Sequence, residues 1–219
     1  MDRVTEAFAW PAREVEWVSK VVVIGLILLI PIVGTINGLG WMLAALERLR
    51  AGQDGLPPAH LGYLGRGWRL FVVTVVYGLA IGMIAGLVYL PAVLIFVHEG
   101  RGSANAAAVS GAVLLSLLSF SLATLGTLAL NFAMPSIVLA TERRGIAGGL
   151  RVLQVVGAAR DSLAASLVAG LMLIAASFIG SVGIVACGVG VLFSTAYSLA
   201  MQAWIIHCFE QGSSPATAA

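Results

Sequence analysis

Four stretches of this 219-residue chain contain no Asp, Glu, Lys or Arg: residues 21–46, 70–98, 102–141 and 162–209. Each is longer than the roughly 20 apolar residues a helix needs to cross a hydrocarbon core. Inside lipid every backbone N–H and C=O must be satisfied internally, so runs of this length fold as helices. Together they make up about two thirds of the chain. Charged residues are 10% of the whole and hydrophobic ones 60%, with a mean hydropathy of +1.02; a soluble domain carries about 25% charged residues. A soluble enzyme, a nucleic-acid binder and a disulfide scaffold are excluded on these grounds. The expected fold is an all-α polytopic membrane protein with about five transmembrane helices and additional interfacial amphipathic helices.

Glycine and proline divide the runs. The first, 21–46, contains Pro31, Gly34, Asn37, Gly38 and Gly40, which makes it either one kinked span or a re-entrant hairpin. Further spans are expected near 70–97, 107–130, 162–181 and 188–209, the last two separated by the glycines of 180–190. Residues 1–20 read as an interfacial segment, with Trp10 and Trp17 at the headgroup level and a break at Pro11. Polar connections cover 47–69 and 142–161. The whole forms a single helical domain over 1–211, followed by a disordered tail, 212–219. Acidic residues at the N-terminus, among them Asp2 and Glu6, argue against a cleaved leader.

Orientation follows from Lys and Arg. Connections 47–69 and 142–161 carry four each, the first 20 residues three, and the turn at Arg101 one. Both connections are therefore expected in the cytoplasm, and the C-terminus with them. A hairpin at 21–46 puts the N-terminus there too and gives a tally of 11 against 1; a single span gives 8 against 4. Charge favours the hairpin. Its arms of about 13 residues are too short for full crossings. Gly67-Trp68-Arg69-Leu70 and Gly149-Leu150-Arg151-Val152 each end a basic connection before a span, which suggests two diverged copies of one unit.

Few residues could carry chemistry. His98 and His207 sit at run ends and read as interfacial anchors. Cys187 and Cys208 lie in apolar context without ligand spacing. Glu210, three residues after His207, reads as a chance pair. No nucleophile set, carboxylate pair or metal motif is present, so neither catalysis nor a cofactor or metal is expected. Asn131 is the best polar intramembrane candidate, either bonding a carbonyl freed by Pro135 or touching a solute. Ser116, Ser119, Ser121, Thr124 and Thr127 are expected to bond back to their own helix. Gly78, Gly82 and Gly86 fall on one helical face and suit close packing, within the chain or in a homodimer. Connection 142–161 reads as an amphipathic helix with Ile146, Leu150, Leu153 and Val156 on its apolar face. Its Arg143, Arg144 and Arg151 would touch an anionic inner leaflet or a protein partner.

The pattern Trp10-Pro11, Trp17, Lys20, Gly25, Pro31, Gly38 or Gly40, Trp41, Arg48, Arg50, Gly52, Leu56-Pro57 and Gly67 resembles the family catalogued as domain of unknown function 4013. Pro58-Ala59-His60 departs from it. The resemblance implies a prokaryotic plasma membrane and no established activity. The expected role is a non-enzymatic scaffold or membrane subunit of a complex, with a protein partner or a second copy. The alternative is a transporter or permease component for an apolar or lipid-like solute.

Overall fold

The structure, a computed structural model, describes residues 2–53, 55–100, 105–182 and 189–213, and among these it is helical throughout, without strands. In chain order the helices are α1 (Asp2–Ala9), α2 (Trp17–Leu28), α3 (Val33–Arg50), α4 (Leu64–Glu99), α5 (Ala106–Gly149), α6 (Val152–Asp161), α7 (Leu163–Val182) and α8 (Val189–Ser213). Arg101, Cys187, the glycines at 183 and 188 and nearly all of the tail lie outside the described residues. The chain divides into two compact units: Met1–Val73 with Asn131–Ala219, and Thr74–Leu130.

Among the described residues three helical segments are long and apolar enough to cross a membrane: Leu61–Glu99, Ala106–Gly149 and Gly190–Gly212. The pair Val152–Asp161 and Ala164–Gly180, bent by 106°, makes a fourth if taken as one broken span. The first apolar run supplies none, because it folds back on itself. After α2 the chain turns at Leu29–Ile32, where Ile32 takes φ +65°, a region that β-branched residues rarely enter. Gly34 then passes so close to the carbonyl of Ile27 that a Cβ would collide with it. Lys20, in the first turn of α2, donates to the Leu56 carbonyl at 2.8 Å, so both ends of the hairpin lie together.

In the first unit α3 is buried on nearly every side from Ile36 to Leu46, and α8 likewise from Ala196 to Ile206. Gly40 and Gly67 let α3 and the start of α4 meet backbone to backbone: a Cβ on either would strike the other helix's main chain. Trp10, expected among headgroups, is 2% exposed. The break at Pro11 is present as a 3-10 turn, Trp10–Arg13.

In the second unit, four of the five hydroxyls behave as expected. Ser116, Ser121, Thr124 and Thr127 donate to carbonyls four residues back, whereas Ser119 donates to Ala85 O of α4 at 2.8 Å. A Cβ on Gly78, Gly82 or Gly86 meets nothing within 4 Å, so among the described residues of this unit no helix packs against the glycine face. The packing side of α4 carries Ile81, which lies against Gly126, and the buried Ala85 and Ala92. At 3.6 residues per turn that side is about 100° around the helix from the glycines.

Candidate functional site

The signature residues converge on the loop between α3 and α4. Glu14 accepts the Leu56 N–H at 2.7 Å and pairs with Lys20, whose ammonium also holds the Leu56 carbonyl. Trp41, fully buried, donates to Pro57 O at 3.2 Å. Asn37, equally buried, donates to His60 O at 3.0 Å and accepts from Tyr63 N at 3.2 Å. A loop with two consecutive prolines lacks backbone donors and cannot form a regular element; here side chains from three segments fix it. Burial works against ionisation of Glu14. The bonds from Lys20 and Leu56 and the nearby Arg48 outweigh it, so the carboxyl lies below its ordinary range.

Beside this clamp lies a cluster of charges that the sequence reading did not assemble. Arg50, at the end of α3, reaches Glu142 of α5 at 2.8 Å and Glu210 of α8 at 2.7 Å. Arg66 pairs with Glu47 and lies 3.9 Å from Glu142. Arg143 lies 3.5 Å from Glu210. Partial burial disfavours the Arg50 cation, but the two carboxylates outweigh it and its pKa is raised. Glu210 thus belongs to a cluster joining three helices. The sequence signal was available: Glu142 and Glu210 flank two long uncharged runs, and charges at run ends must find water, headgroups or each other.

The remaining sequence candidates are dispersed. Arg144 bonds Gln154 Oε1 at 2.9 Å, and Arg151 is exposed ahead of α6. The expected single amphipathic helix over 142–161 is interrupted at Gly145, which takes φ +68°, and again before Val152. Its buried position is Val155, while Leu153 is 89% exposed. The break rotates α6 and changes which residues face inward. Asn131 is half-buried on α5 and is engaged within the chain. Among the described residues no group of three His, Cys, Asp or Glu side chains is arranged to hold a metal ion.

A cleft of about 670 Å³ opens between α5, α6 and α8, with Ser136, Arg143, Arg144, Gln154, Asp161, Ser162 and Glu210 as its polar lining and Leu139, Val155 and Phe209 among its apolar walls. Ser136 is 6% exposed and its hydroxyl has no hydrogen-bond partner. Such a group is costly to bury. Among the described residues Asp161 is in no ion pair.

The family described as Protein of unknown function (DUF4013) matches residues 23–189, so the chain belongs to that family. No curated protein and no solved structure matches it.

Proposed function

We propose that this member of the family is a non-enzymatic, membrane-embedded subunit that serves as a scaffold in a larger assembly of the prokaryotic plasma membrane. The observation that carries the reading is the use made of the charges. Of the seven acidic side chains described in the first unit, at 6, 14, 16, 47, 142, 161 and 210, five are in ion pairs. Charge paired in this way fixes helices against one another, as a scaffold requires.

In this reading α2 and α3 form a re-entrant hairpin, and α4, α5, the bent α6–α7 pair and α8 cross the membrane. Four crossings return the C-terminus to the side of the N-terminus. The contacts of Lys20 with Leu56 and of Arg50 with Glu210 support one side for connections 47–69 and 142–161 and both ends of the chain. The positive-charge tally supports the cytoplasm as that side. A sequence of about five spans is thereby replaced by four and a hairpin.

The cleft favours a second reading, a permease component for a lipid-like solute. Purification of the tagged chain from its own membranes in mild detergent separates the two. A stoichiometric partner without nucleotide hydrolysis is the expected result. A co-purifying ATPase together with solute flux in proteoliposomes would overturn the scaffold in favour of transport.

A further inference from the structure

We infer that the cleft between α5, α6 and α8 is a binding site for a phospholipid headgroup carrying both a phosphate and a primary amine. This rests on the membrane-embedded reading of the chain but not on a scaffold role. Among the lining charges, Arg143 and Glu210 neutralise each other at 3.5 Å, and Glu210 is held by Arg50 as well. Among the described residues that leaves one lining cation, Arg144, bonded to the neutral Gln154 amide, and one lining anion, Asp161, in no ion pair. The cleft therefore offers separated positive and negative ends and no net charge, the complement of a zwitterion.

The spacing of the ends suits such a group. Arg144 meets Gln154 at one level of α5, and further along the chain Gly170 packs on the Phe132 ring. Between Gln154 and Gly170 the chain passes Asp161, where the α6–α7 pair bends by 106°, and Asp161, Ser136, Arg144 and Gln154 all line the one cleft. Asp161 is seven residues beyond Gln154 on α6, about 10 Å along the axis. A phosphate and an ammonium joined through two carbons, with a hydrogen bond of about 3 Å at each end, cover a span of that order. The phosphate belongs with Arg144 and the Gln154 amide, for which charge-assisted bonds are the strong ones. The ammonium, with three donors, belongs with Asp161 and with the unpartnered, buried Ser136 hydroxyl. Apolar surface lies alongside for acyl chains: Leu139, Val155 and Phe209 within the cleft and Leu153 exposed on α6.

Native mass spectrometry of the full chain, released from mixed micelles containing equal phosphatidylethanolamine, phosphatidylglycerol and phosphatidylcholine, tests the site. Phosphatidylglycerol lacks the amine and phosphatidylcholine lacks its N–H donors. Phosphatidylethanolamine should be retained about tenfold or more over both, the worth of one charged hydrogen bond. Asp161→Asn should abolish that preference and leave total phospholipid retention in place; Arg144→Gln should lower retention of all three. Both residues are exposed, and an unchanged melting curve will show that the variants fold. Equal retention of the three lipids by the unaltered chain, or an unaltered preference in Asp161→Asn, overturns the proposal. Competition by soluble phosphoethanolamine at the same concentration overturns the lipid as the source. Extraction of the chain from membranes by alkaline carbonate would instead refute the membrane reading on which the site depends.

Discussion

Arg50 and Glu210 are 160 residues apart in sequence and 2.7 Å apart in space. Each closes one helix of the first unit, and the pair fixes the end of α3 against the end of α8 while Glu142 brings in α5 from the other side of the guanidinium. Removing Glu210 leaves Arg50 with Glu142, whereas removing Arg50 takes the nearest cation from both carboxylates and leaves them only the more distant Arg66 at 3.9 Å and Arg143 at 3.5 Å. Arg50→Gln is therefore expected to destabilise more than Glu210→Gln. Because the side chains are about a third to a quarter exposed, the losses should be about 1–2 kcal/mol for Arg50 and about 1 for Glu210. Thermal melting in detergent of both single variants and the double variant measures the coupling. Additive effects would show that the pair does not hold the helices.

The Glu14 clamp should titrate. Its folded pKa is depressed, so its contribution is fully present above the unfolded value, about 4.3, and is lost as pH falls through the folded value. Glu14→Gln should melt below the unaltered chain at pH 7, by an amount equivalent to about 1–2 kcal/mol. The gap should narrow below about pH 4. A gap that stays constant from pH 7 to pH 3 would show that packing, not the carboxylate's charge, matters there.

Two glycines of α4 should respond oppositely to the same substitution. Gly67→Ala places a methyl group against the α3 backbone at Ile36 and Gly40, where nothing flexible can give way. A loss of about 3 kcal/mol or failure to fold is expected. Gly82→Ala meets open space and gains helix propensity, so the melting point should hold or rise slightly. A fall for Gly82→Ala in the isolated chain would mean that its face is covered. A fall only at high protein concentration would point to a second copy.

Labelling decides the topology. In a cysteine-free background, single cysteines at Val15, Gln53 and Arg151 should all be protected from an impermeant reagent in intact cells, and one at His98 should react. All four positions are exposed. Reaction at Val15 with protection at Gln53 would replace the hairpin by a single crossing.

Several features of the fold were legible because they are local. Pro31 with Gly34 marked the turn that became the α2–α3 hairpin, Pro11 marked the break after α1, and the small hydroxyls of α5 bonded to their own helix. Where the reading failed, the cause was rotation or distance. Gly78, Gly82 and Gly86 share a face by spacing, but spacing does not say which face of α4 meets α5. Gly145, at φ +68°, rotated α6 so that Val155 turned inward in place of Leu153. Asn37 looked like a helix breaker within an apolar run; its amide is instead satisfied by His60 and Tyr63, which come from the loop that follows.

The chain by itself determined that it is helical and apolar, how the runs are divided, and where charge could stand, because hydropathy, proline and glycine act on neighbouring residues. Only the tertiary structure decided which charges meet. Arg50, Glu142 and Glu210 are brought together by the packing of α3, α5 and α8, and a Coulomb interaction effective over a few ångströms depends on that packing and not on sequence separation. The same holds for the cleft: Ser136, Arg144 and Asp161 line one cavity because the chain reverses after Gly145, and that reversal is a property of the assembled helices.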